Sequence, residues 1–161
     1  MRLRISALAI ATPVFGLLCT LAPAQDREKY MELGRQASKA QNFSEAEKQF
    51  NAAIREAKHS GGELQLAESL DGLASVYRDW KKYSRSEALY KKSLHIRETI
   101  LGPWHPNIAQ NLDNLADTLD LRGKHEQAEP LHKRARAIRE QAVATHPDVY
   151  VDGVAKPVLP K

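Results

Sequence analysis

Asp113, Asp117 and Asp120 recur at i, i+4 and i+7, with Asn114 beside the first of them. On a helix that spacing gathers three carboxylates on one face. Glu68, Asp71 and Asp79 put the same charge on an earlier segment. Strips of this kind raise the on-rate of a basic partner and help select it; the alternative is that they only keep a helix face solvated. They lack what metal chemistry needs. The six histidines (His59, His95, His105, His125, His132 and His146) never stand three or four residues apart, so no two are expected as ligands on one helical face. No Ser-His-Asp order and no glycine-rich phosphate loop is present, and the one cysteine, Cys19, lies in a segment expected to be removed. These residues therefore predict no enzyme, no metal, no cofactor and no small-molecule substrate.

What must position the acids is a repeat. Leu112-Asp113-Asn114-Leu115-Ala116 echoes Leu70-Asp71-Gly72-Leu73-Ala74, 42 residues earlier. Glu129 to Ala135 likewise echoes Glu87 to Ser93, and Ile138-Arg139-Glu140 echoes Ile96-Arg97-Glu98. His146-Pro147 follows His105-Pro106 with one residue deleted. A fixed period of roughly 20–50 residues marks units that must stack to bury an apolar core. The expected fold is all-α: a right-handed α-solenoid of about three helix-turn-helix repeats, over residues 26–60, 64–105 and 106–146.

Each repeat reads as a helix pair. Leu112, Leu115, Ala116 and Leu119 share a face, as do Leu70, Leu73, Ala74 and Tyr77, and Tyr30, Leu33, Gly34 and Ala37. Gly34, Ala74 and Ala116 are small enough for a neighbouring helix to approach. Ser44 with Glu47 and Ser84 with Glu87 have capping-box spacing at the start of the second helices. Gly123 makes the turn of the last pair, whereas Gln41 and Lys81 stand where the other turns would have glycine.

The pattern resembles the tetratricopeptide repeat, in particular the 42-residue variety of kinesin light chains. Leu112 to Ala116, Gly123, Ala128 to Ala135 and Leu101 to Pro106 carry the likeness, which covers about residues 26–147. It implies first helices on a concave surface, second helices on a convex one, and binding of a protein or peptide in the groove. Glu68, Asp71, Asp79, Asp113, Asn114, Asp117 and Asp120 would then line that groove, opposite a basic convex side carrying Lys91, Lys92, Arg97, Lys133, Arg134, Arg136 and Arg139. Asn114 occupies the position at which the family reaches the backbone of an extended peptide. Gly72 holds the matching position in the middle repeat and departs from that pattern.

Both ends of the chain read differently. Arg2 and Arg4 precede an uncharged, mostly apolar run from Ile5 to Leu21, and Ala22-Pro23-Ala24 offers the small residues a signal peptidase reads. Residues 1–24 are expected to be a signal peptide and the protein exported, periplasmic or secreted; the alternative is an uncleaved N-terminal membrane anchor. Without Arg2 and Arg4 the chain keeps 22 basic residues against 20 acidic, which gives no case for nucleic acid. Where Tyr90, Leu94 and Leu101 mark a packed face, the last repeat has His132, Arg136 and Val143, which predicts a polar outer face ending the array. Trp80 and Trp104 are expected as packing residues at repeat junctions. Residues 147–161, with three prolines, are expected to be a tail, extended or disordered, unless Val149-Tyr150-Val151 docks.

The sequence thus points to a non-catalytic adaptor, expected to be monomeric, that holds a partner protein or peptide. Two alternatives stand beside it: a self-associating assembly protein and an accessory subunit of an envelope complex.

Overall fold

A computed structural model describes residues 22–145, 150–151 and 154–155. The expected signal peptide, apart from its last three residues, and Val149 of the tail lie outside the described residues. Among the described residues six helices follow one another: α1 (Ala22–Lys39), α2 (Phe43–Ser60), α3 (Glu63–Asp79), α4 (Tyr83–Leu101), α5 (Pro106–Asp120) and α6 (His125–Thr145). Each packs on the next, and α1 also touches α3. The result is an all-α solenoid of three helix pairs. Two short strands, β1 (Tyr150–Val151) and β2 (Val154–Ala155), then pair antiparallel, Tyr150 with Ala155 and Val151 with Val154.

The three turns inside the pairs are the same object. Asn42, Lys82 and Lys124 each donate their backbone N–H to a carbonyl five residues back, on Ala37, Tyr77 and Leu119, at 2.9, 2.7 and 2.9 Å. This is the closing bond of a Schellman turn, which needs a left-handed residue just before it. Gly123 takes that conformation freely at φ 73°, but Gln41 and Lys81 adopt it too, at 58° and 59°. A side chain there costs about 1–2 kcal/mol, and the turn forms all the same. Packing of the paired helices outweighs the local preference.

The expected capping boxes are not formed. α2 begins one residue before Ser44, and Asn42 Oδ1 accepts from the Glu45 N–H at 3.2 Å. α4 begins at Tyr83 with no side chain capping it. Ser44 and Ser84 therefore sit inside the first turn, and their glutamates are spent on other partners: Glu47 accepts from the Tyr77 hydroxyl at 2.6 Å, and Glu87 takes three cations.

The core falls into two clusters, as stacked units with nearest-neighbour contacts require. One surrounds Phe50 with Met31, Ile54, Leu70, Leu73 and Val76. The other joins Tyr90, Ile108, Leu112, Leu115, Leu119 and Ile138. Phe50 explains two glycines at once. Its ring lies between α1 and α3, where a Cβ on Gly34 would fall 2.8 Å from it and a Cβ on Gly72 would collide with it. The departure at Gly72 is thus a packing requirement. Two apolar expectations are corrected: Leu33 is exposed rather than core, and Trp104 is 55% exposed. Trp80 does pack, stacked 5.8 Å from Phe43 and 6.4 Å from Tyr77.

Candidate functional site

The seven candidate residues separate into three settings. Asp71 is largely buried, its side chain 21% exposed, at the junction of α3, α4 and α5. Arg97 Nη2 donates to its Oδ2 at 2.7 Å, and Asn111 Nδ2 donates to its Oδ1 at 2.6 Å and to Ser93 Oγ at 3.2 Å. Burial pushes the Asp71 carboxyl above its ordinary value although Ser93, Arg97 and Asn111 pull the other way. The expectation of a groove carboxylate is corrected here: α5 lies over Asp71, and its amide and guanidinium partners are already within the protein.

Asp113, Asp117 and Asp120 are brought together, by a residue expected elsewhere. His132 Nδ1 lies 3.2 Å from Asp113 Oδ1, and its Nε2 lies 3.3 Å from Asp120 and 3.8 Å from Asp117. Arg139 also binds Asp113, and His125 Nδ1 reaches Asp120 at 2.8 Å. His132 is therefore not part of a free outer face; three carboxylates on one face of α5 draw its ring onto that helix. Burial alone would lower the imidazole's affinity for a proton, but Asp113 and Asp120 outweigh it and hold its pKa above the ordinary value. Hydrogen bonds from His125 and His132 in turn keep the Asp120 carboxyl below its own.

The remaining residues stay open. Glu68 receives Arg27 Nη1 at 3.1 Å, tying α3 to α1, and is half exposed. Asp79 has only its neighbour Arg78, at 3.7 Å. Asn114 is partly buried and accepts weakly from Gln110, at 3.4 Å. An open cavity of about 320 Å³ lies between α1 and α3, with Arg35 and Lys39 on one wall, Ser75 and Asp79 on the other, and Gly72 exposing the Phe50 side at its base. In the 42-residue repeat, Gly72 and Ser75 correspond to Asn114 and Asp117, which puts those two on the same side of α5.

The separation of an acidic concave side from a basic convex one does not hold where the pairs close. Asp71 meets Arg97 and Asp113 meets Arg139, each across its own helix pair. One cluster escaped the sequence reading altogether. Glu87 takes Lys91 at 2.6 Å, Lys124 at 3.3 Å and Arg122. Burial raises its pKa, but the three cations overcome that and bring it down to about 2. The only signal was its echo, Glu129 with Lys133, which pair at 2.6 Å on an exposed surface. Among the described residues no group of three or more metal-binding side chains is placed to hold an ion.

Residues 81–141 match the tetratricopeptide repeat family. Among solved structures the chain is similar to the TPR domain of Arabidopsis FLU, with a TM-score of 0.67 and 18% identity over 74% of this chain and 98% of that one. It also aligns with BtubC (BKLC) from P. vanneervenii, with a TM-score of 0.49 and 16% identity over 90% of this chain and 74% of that one. No curated protein matches it.

Proposed function

We propose that this chain, whose residues 81–141 match the tetratricopeptide repeat family, is a non-catalytic adaptor, exported from the cytoplasm, that holds an extended segment of a partner protein along its concave groove. Repeats of this kind act as protein-binding scaffolds through such surfaces. The observation that carries the reading is the open cavity above Phe50, kept clear by Gly72; the repeat register puts Asn114 and Asp117 at the equivalent positions of α5. Asp79 and Asp117 are about half exposed, at 48% and 54%, and supply attraction for a basic segment. Asn114 supplies a donor and an acceptor for its backbone. Asp71 takes no direct part.

Affinity capture from envelope extracts tests this. The wild-type chain should retain a partner that the double variant Asp79→Lys, Asp117→Lys loses. Surface plasmon resonance on that partner should show slower association for Asp117→Lys, since exposed charges act chiefly by steering. Asn114→Ala should dissociate faster. If both variants bind like the wild type, the groove is not the contact. Export rests on the basic start, the apolar run and Ala22-Pro23-Ala24. Mass spectrometry of the native protein should find a chain starting at or near Gln25, and an intact Met1 in soluble cytoplasmic extract would reject it.

Exposure of Trp104 at 55% and Ile100 at 46% favours a second reading, self-association through the α4–α5 connector. Light scattering at micromolar concentration decides between it and the monomeric adaptor.

A further inference from the structure

A cavity of about 290 Å³ opens on the edge of the solenoid where α3 turns into α4. Its lining is Lys81, Lys82, Tyr83, Ser84, Arg85 and Arg122: four cations, two hydroxyls and no carboxylate. Many cations of this protein are held by acids, as Arg27 is by Glu68, Arg35 by Glu28 and Glu32, Arg97 by Asp71, and Arg134 by Glu98. Two of the cavity's cations are held by aromatic rings instead. The Arg85 guanidinium lies 5.5 Å from the centre of Tyr77, and Lys82 Nζ sits over Trp80 and 5.9 Å from Tyr77. Stacking of Trp80 on Phe43 and Tyr77 makes that platform rigid. A ring face orients a cation without cancelling its charge.

The acids nearby do not neutralise the cavity. Arg122 pairs with Glu87, but Glu87 already shares itself with Lys91 and Lys124. Glu47 accepts from the Tyr77 hydroxyl, and Asp79 lies beside Arg78. Lys81 is exposed and fixed at φ 59° by the turn. We propose that this cavity binds a phosphate-type dianion, either free or carried as a phosphomonoester on a partner. One guanidinium fork without an acid partner, a second shared with Glu87, two ammonium groups and two hydroxyls suit a tetrahedral oxyanion with several acceptor oxygens better than a single carboxylate. The site stands apart from the concave groove and does not depend on it.

The test is a titration of the ¹⁵N-labelled chain with inorganic phosphate at fixed ionic strength, read in amide correlation spectra. Saturable shifts are expected at residues 81–85 and at Arg122. Lys81→Asn, which tolerates the left-handed backbone, and Arg85→Gln should each weaken binding by roughly tenfold, the loss of one charge-assisted hydrogen bond. Lys48→Gln, on α2, should leave it unchanged, and thermal melting should show all three variants folded. A phosphoserine peptide that binds more tightly than inorganic phosphate assigns the site to a phosphorylated partner; equal binding assigns it to free phosphate. Shifts linear in phosphate, affinity unaltered in both cavity variants, or saturation by a glutamate peptide at the same concentration would overturn the proposal.

Discussion

The middle and last repeats share two charged pairs at equivalent positions, yet the two sets behave differently. Asp71–Arg97 and Asp113–Arg139 are one pair 42 residues apart, as are Glu87–Lys91 and Glu129–Lys133. In the middle repeat α5 covers the first pair, adding Asn111, and the turn after α5 adds Arg122 and Lys124 to Glu87. Among the described residues no further helix pair packs on the last repeat. There His132, where the middle repeat has the buried Tyr90, turns to the carboxylates of α5, and Glu129 keeps Lys133 alone. A motif thus gains its electrostatic character from the next unit in the stack. Its own residues do not confer it.

Substitutions made in parallel at equivalent positions sharpen that contrast. The largest difference is expected at Tyr90 and His132. Tyr90 is 1% exposed, so Tyr90→Ala should cost about 3–5 kcal/mol in urea unfolding. His132→Ala should cost a small fraction of that. Equal losses would mean that the last repeat is packed on its outer side by a partner or a second copy.

Next come the two aspartates. Asp71→Ala strands Arg97 and Asn111 in a covered site and should cost about 2–3 kcal/mol. The Asp113 side chain is as covered as that of Asp71, at 22% against 21%, but its partners Arg139 and His132 are about a third open to solvent, so Asp113→Ala should cost less, about 1 kcal/mol. If the Asp113 variant is the worse, the last repeat is not the open end of the stack.

Acid unfolding separates the glutamates. Glu87 has a folded pKa of about 2 against an ordinary 4.5. Its contribution is complete above the ordinary value and disappears as pH falls through the folded one. Glu87→Gln should cost about 1–2 kcal/mol at neutral pH and flatten the loss of stability below about pH 4.5. Glu129 is also held below its ordinary value, by Lys133 alone and in full contact with solvent, so Glu129→Gln should flatten the profile much less than Glu87→Gln.

The smallest effect belongs to His132. With its pKa raised by Asp113 and Asp120, the imidazolium stabilises the fold most below the unfolded value near 6.5, and that contribution fades as pH rises through the folded one. An NMR titration of the ring should give a midpoint above 6.5, and His132→Asn should remove the corresponding slope in stability. A midpoint below 6.5 would show that the ring does not rest among the three aspartates.

The repeat period, the helix pairs and the position of every intra-repeat turn were legible in the sequence, because apolar spacing and small residues such as Gly34, Ala74 and Ala116 act within a window of a few turns. So was the grouping of Asp113, Asp117 and Asp120 on one helix face. The capping boxes were misread because a one-residue shift in helix start moves Ser44 and Ser84 inside the first turn. Gly72 read as a lost peptide contact until Phe50, on another helix, occupied the space. Which carboxylates gather several partners, which stay open, and which cations rest on rings rather than on acids was decided by the tertiary structure alone. Burial and counter-charge depend on residues one repeat away, and a single repeat's sequence carries no record of what stacks against it.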